Sequence, residues 1–255
     1  VGLRSDGTPD IDWVEVAGGE FIYQAGESYA ELPTFYIARY PITVAQYAAF
    51  VEAGGYQNRA YWTEESWAWR ESHNLSAPAL WQAPKWHILN HPVVGVTWYE
   101  AGAFCVWLAR RLGLPPEALS LPTEFQWEKA ARGVDGRFYP WGNVCESGYA
   151  NFNETYAYYY VGEHFLKRTT AVGAFVHDCS PYGVMDMCGN VREWTLSPFY
   201  DFGRVIRGGS WFSNRHQAQT SARAWFYEGN PDQGLGFRVT ASLLPPHDSL
   251  RWALG

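Results

Sequence analysis

Long apolar runs are missing from this chain of 255 residues. None approaches the roughly 20 residues that a spanning helix needs, and the start lacks a charged segment followed by an apolar one. The expectation is a soluble protein, cytoplasmic by default, with surface or virion display left open. Blocks of Lys and Arg are missing too: 19 basic against 26 acidic residues give a formal charge of −7. A nucleic-acid surface is therefore not expected. Cysteine is scarce. Cys105, Cys145, Cys179 and Cys188 have none of the paired spacings of a zinc site, so free and mostly buried thiols are the simplest reading. From Asp135 onward no stretch carries the period of a helix of any length.

What the chain does have is aromatic mass, 18% of residues with 14 Trp. Such side chains fill a core built largely of irregular structure or lie on a recognition surface, and both uses are expected here. Short apolar alternation from Ile11 to Phe21, broken at Gly18-Gly19, predicts two small strands, and Phe35 to Tyr40 predicts another. Three capping boxes then mark three helices, at Thr43 to Gln46, Thr97 to Glu100 and Thr123 to Gln126. Their apolar stripes are Val44, Tyr47, Ala48 and Val51; Ala101, Phe104, Cys105 and Leu108; and Trp127, Ala130 and Ala131. Glu100, Glu124 and Glu128 read as caps or solvated helix positions. Residues 56 to 92 carry Trp62, Trp67, Trp69, Trp81 and Trp86 without a sustained period and read as a long ordered loop. His87 and His91 have helical metal-pair spacing, but Pro92 biases His91 away from helical dihedrals, and two unrelated histidines are expected. The predicted fold class is α+β, one domain over residues 12 to 242, with a linker-like extension at 1 to 11 and a tail at 243 to 255. The polar start suggests an upstream domain in a longer polypeptide.

The stretch Arg207-Gly-Gly-Ser-Trp211, closed far downstream by Gly236-Phe-Arg238, has the look of a frame. Between its ends lie Phe212, Ser213, Asn214, Arg215, His216, Trp225, Phe226 and Tyr227, following neither helical nor strand period. An irregular segment held by rigid ends is where binding side chains usually sit. Arg207, Trp211, Phe237 and Arg238 are expected to be the framework, and the eight residues between them one exposed face for a protein or other macromolecular partner.

Several pieces in order, Tyr40-Pro-Ile-Thr-Val44, Pro92 to Trp98, Leu121 to Arg132, Tyr139-Pro-Trp-Gly-Asn143, Gly183 to Trp194 and the frame itself, resemble the formylglycine-generating enzyme or sulfatase-modifying factor family. The resemblance covers about residues 12 to 240. It implies a C-type lectin-like fold, with a few helices on small twisted antiparallel sheets and much ordered loop. In the oxidase members two cysteines of this segment hold copper; the matching positions here are Ser213 and Ala218, which cannot supply the thiolate pair Cu(I) prefers. Neither copper nor iron is expected, and the chain resembles more closely the non-catalytic branch, including the variable proteins of diversity-generating retroelements. The implied function is a ligand-binding domain on a C-type lectin scaffold. The alternatives are a divergent oxidoreductase and an interaction domain of a larger signalling protein. The resemblance also implies structural calcium in the loop Asp186 to Glu193, through the side chains of Asp186 and Glu193 and the carbonyls of Gly189 and Val191. A second ion would use Asn151 and Phe152, although its distal acidic ligand has no clear counterpart after Tyr160.

Overall fold

The computed structural model describes residues 2–243 apart from 25 and 27. The chain opens with β1 (Trp13–Val16), β2 (Gly19–Tyr23), β3 (Ser28–Leu32) and β4 (Phe35–Ala38). Helices follow: α1 (Val44–Glu52), α2 (Glu64–Ser72) and α3 (Trp98–Arg111), then the short strand β5 (Leu119–Ser120) and α4 (Glu124–Arg132). The second half is strand and loop, with β6 (Arg192–Phe199), β7 (Gly203–Arg207), β8 (Arg223–Phe226), β9 (Leu235–Gly236) and β10 (Thr240–Ala241).

The three expected helices begin at their capping boxes. Thr43, Thr97 and Thr123 each accept a backbone N–H from the residue three positions on, whose side chain reaches back to the cap. The stripes of α3 and α4 are buried as read. In α1 the buried face is Val44, Tyr47 and Phe50 with Gln46, so Ala48 and Val51 lie at its margin. The helix α2 was hidden in the stretch read as loop. Among its residues only Ser66 is buried, so no apolar stripe announces it; Thr63 caps it, with Glu64 and Glu65 in the first turn and Arg70 in the last.

Strand order in the first sheet is β1-β4-β10-β5, which brings the C-terminal strand against β4, with Thr240 opposite Ile37. A second sheet is the β2–β3 hairpin, and the third has the order β8-β7-β6-β9. Pairing is antiparallel except between β6 and β9, a departure from the all-antiparallel expectation. The main core joins α1 and α3 to Trp194 and Phe237, and a second cluster packs Trp127 of α4 on Val14, Val16 and Ile37. The extension before residue 12 is not a free linker. Leu3 bridges Pro9, Thr8 and Ile11 are buried, and Arg111 at the end of α3 donates to the Asp6 carbonyl at 2.7 Å. The expected tail lies, beyond exposed Leu243, outside the described residues. No helix among the described residues is long and apolar enough to cross a membrane. All four cysteines are free, Cys105 and Cys188 buried, Cys145 and Cys179 half-buried.

Candidate functional site

The frame is fixed at each end by a buried ion pair. At the near end Arg207 is bonded to Glu128 and donates to the carbonyls of Ser221 and Ala222 at 3.0 and 2.7 Å. Glu128 also binds Arg132 at 2.7 Å. At the far end Arg238 grips Glu193 through two contacts of 2.6 and 2.7 Å and donates to the carbonyls of Ala38, Arg39 and Met185. Both arginines are among the largest fully buried side chains; every nitrogen of Arg238 finds an acceptor, whereas Arg207 bonds through its two terminal nitrogens and leaves its Nε without one. The glutamates expected as caps or solvated positions are corrected accordingly. Glu128 is buried in this network, and Glu124 is buried with Arg223 at 2.6 and 2.9 Å. Glu100 is a cap, but a buried one, accepting from Thr97 and from the Tyr56 hydroxyl.

Within the frame the chain turns back tightly. Gly209 has φ +70°, and a β-carbon there would lie 2.9 Å from the α-carbon of Ala218. Trp211 is sandwiched between Trp86 and Phe165, with ring centroids 5.8 and 6.2 Å away. Ser213 is 4% exposed; its Oγ accepts the Ser210 N–H at 3.0 Å, and its carbonyl accepts that of Asn153 at 2.9 Å. Asn214 is 7% exposed, and its Oδ1 accepts the N–H groups of His216 and Gln217 at 3.0 and 3.1 Å. Ala218 is sealed among Tyr139, Ala150, Phe152 and Cys188, with Cys145 packed alongside. Burial pushes both of those thiols above their ordinary pKa, Cys188 far above, so neither presents a ready thiolate.

Beside this turn opens a cavity of about 490 Å³, lined by Ser213, Asn214, His216, Arg192, Arg223 and Tyr159 among others. Tyr159 stands edge-on to His216 at 4.6 Å. Arg223 lies over the Phe199 ring at 4.9 Å and leads to an aromatic ridge. On it Trp225 stacks on Phe199 at 5.8 Å, leans on Phe202 at 5.7 Å and meets Tyr227 edge-on at 5.1 Å. Tyr227 is 53% exposed, Phe202 57% and Tyr200 78%.

The eight residues expected to form one exposed face are thus divided. Ser213, Asn214 and His216 line the cavity, and Trp225 and Tyr227 belong to the ridge. Phe226 alternates to the opposite face of β8 and packs toward Trp194. Phe212 is half-buried under Arg192, whose guanidinium lies 4.8 Å from its ring. Arg215 is half-buried, with its carbonyl accepting the Tyr139 hydroxyl at 3.2 Å. Sequence reading missed Arg192, Arg223, Phe199, Phe202 and the exposed tyrosines Tyr156, Tyr158, Tyr159 and Tyr160. The last had a visible signal, four Tyr in the five residues 156 to 160.

Of the expected calcium donors, the Glu193 carboxylate and one oxygen of Asp186 are already engaged. Both oxygens of Glu193 accept from Arg238, and the Trp127 Nε1–H also donates to one of them at 2.9 Å. Asp186 takes the Gly173 N–H at 2.7 Å, and burial raises its carboxyl pKa to about 6. An ion bridging Asp186 and Glu193 would share Glu193 with a guanidinium, so the donor set does not fit a calcium ion as it stands. Gly189 and Val191 serve the turn, Gly189 pairing with Asn151 in a parallel bridge and Val191 packing on Trp211. At the second expected site Asn151 Oδ1 is buried without a hydrogen-bond partner, while Phe152 is core. Among the described residues no three His, Cys, Asp or Glu side chains converge on a metal position. His87 and His91 have separate partners: His87 packs on Trp81 at 4.4 Å, and His91 Nδ1 meets the Thr169 hydroxyl at 3.0 Å.

A model of the sulfatase-modifying factor enzyme 1-like domain matches residues 5–243. The chain is 31% identical to the inactive C-alpha-formylglycine-generating enzyme 2 of Mus musculus, covering 94% of this chain and 89% of that protein. It is 32% identical to the hercynine oxygenase of Mycolicibacterium thermoresistibile over 76% of this chain, and spans only 48% of that enzyme. Among solved structures, the Treponema denticola variable protein 1 aligns with a TM-score of 0.67 at 20% identity, covering 94% of this chain and 98% of that one. The expected formylglycine-generating-enzyme type of C-type lectin-like fold is borne out.

Proposed function

The chain belongs to the sulfatase-modifying factor enzyme 1-like domain family, and from that membership we propose that it works as a binding module for a protein partner rather than as an oxidase. The observation that carries this reading is the state of the two positions matching the oxidases' cysteines. Ser213 is tied to Ser210, and Ala218 is fully enclosed by apolar side chains. Neither a hydroxyl held in a turn nor a methyl group can bind Cu(I) or hand electrons to oxygen. Around the same segment the fold exposes tyrosines and leaves Trp225 half-buried on the ridge, side chains that give large contact area at small entropic cost. The recognition surface runs from the tyrosines at 156 to 160, across the cavity, to the ridge of Trp225, Phe202 and Tyr227. The formal charge of −7 disfavours a nucleic acid in this role.

The hercynine oxygenase relative favours a second reading, a divergent oxidoreductase. Oxygen consumption separates the two. With Cu(I) or Fe(II) supplied and a cysteine-containing peptide as substrate, the protein is expected to consume no oxygen above the metal-only control. Turnover that is lost on removing the metal would put the oxidoreductase reading first.

A further inference from the structure

The cavity beside His216 has a chemical bias that the acidic composition does not foretell. Its lining includes Arg192, Arg223 and His216 with the neutral Ser213, Asn214 and Gln217, and no Asp or Glu. The charge of Arg223 is answered by Glu124. Arg192 is less well answered. It lies over the Phe212 ring, touches Asp232 through one nitrogen at 3.4 Å, and its Nε is buried without a hydrogen-bond partner. The enclosed Nε cannot itself meet a ligand, but the terminal nitrogens of the same guanidinium, held by no polar contact shorter than 3.4 Å, can receive an anionic oxygen. Aromatic contact on one face leaves the planar fork oriented for such a group.

We propose that the cavity takes an anionic oxygen group, the carboxylate of an acidic segment of the protein partner, with Arg192 as its principal contact and the donors of Asn214, Gln217 and His216 around it. This rests on the recognition reading above and gives that site its ligand chemistry. Arg192 fixes which group enters, while Tyr159 and the ridge supply area around it.

The test is a titration followed by the backbone amide resonances of residues 213 to 217 at constant ionic strength. The probes are N-acetylglutamic acid α-amide, its neutral analogue N-acetylglutamine α-amide, inorganic sulfate and inorganic phosphate. The expected result is a saturable shift with the glutamic acid probe and none with the neutral analogue. Arg192→Gln is expected to weaken that binding by about tenfold or more. Because Arg192 also packs on Phe212, Gln217→Glu is the second variant. It keeps the Oε1 that accepts the Asn214 N–H at 3.1 Å and adds a repelling charge. Loss of the response in Gln217→Glu supports the pocket even if Arg192→Gln fails to fold. Saturation by sulfate or phosphate but not by the carboxylate overturns the acidic segment in favour of a free or esterified inorganic anion. No saturable response to any anion, or an undiminished one in Gln217→Glu, overturns the pocket. Sensitivity of partner binding to the ridge residues would then leave the recognition reading standing alone.

Discussion

Glu100 shows how much chemistry a single residue can hide behind a legible role. The capping box marked it as a helix cap, and it is one, yet it is also fully buried beside Tyr56 and Tyr47, whose hydroxyls lie 3.1 Å apart. Burial raises its pKa from an ordinary 4.5 to about 7, against the opposing hydrogen bonds of Tyr56 and Thr97. The folded state therefore keeps a proton that the unfolded chain gives up as pH rises through the ordinary carboxylate range. Stability is expected to fall between the two pKa values, by about 3 kcal/mol for this residue alone, and to level off above the folded one. Asp186, raised to about 6, acts in the same direction. Glu100→Gln should flatten the decline; melting curves between about pH 4.5 and pH 8 check it, and an unchanged slope would contradict the assignment. The same lesson applies to Glu124 and Glu128. Their helix positions were readable, but the arginines that bury them lie 99 and 79 residues away, a separation no local pattern records.

At the scale of elements, legibility followed the source of stability. Helices α1, α3 and α4 combine caps with apolar stripes, and both signals are local, so they were found at their starts. Helix α2 carries its cap but buries only Ser66, so periodicity gave no hint of it. Such a helix depends on its ends. Thr63→Ala should loosen it by about 1 kcal/mol, seen as faster hydrogen exchange at the amides of residues 66 to 72 with little change in global melting. Equal loss across the whole chain would show instead that α2 is integral to the core. Strand β8 tells a similar story. Its residues were chosen correctly as unusual, but the period of two that sends Trp225 to the ridge and Phe226 toward Trp194 becomes decidable only once β7 fixes its register. The ridge partners Phe199 and Phe202 come from the neighbouring hairpin, outside the frame that drew attention.

Taken whole, the molecule is a scaffold that buries a small set of paired charges and turns aromatics outward at one surface. Arg207 and Arg238 clamp the two ends of the segment between them to α4 and β6 with protein ion pairs. If these ion pairs rather than a metal hold the segment, excess chelator is expected to leave the melting temperature unchanged. A fall of several degrees, reversed by calcium, would place an ion at the orphaned Asn151 oxygen or in the neighbouring loop after all. The family, the capped helices and the framework arginines were legible because each is written as a contiguous motif. The proposed recognition surface was legible only in part. It is assembled from residues 156 to 160, 192, 199 to 202 and 223 to 227, which the fold alone brings together.

The central claim, that this surface binds a protein partner, is tested most directly by affinity at the ridge. A peptide ligand selected by display on the wild-type domain would be titrated calorimetrically against the wild type and against Trp225→Ala and Tyr227→Ala, with melting curves as the check on folding. Trp225 and Tyr227 are surface-facing and rest on other ridge aromatics rather than in the core, so both variants should fold. The account predicts a loss of about 2 kcal/mol for each, roughly thirtyfold in dissociation constant. Selected ligands that bind both variants within about twofold of the wild type would contradict it and move the partner site elsewhere on the molecule.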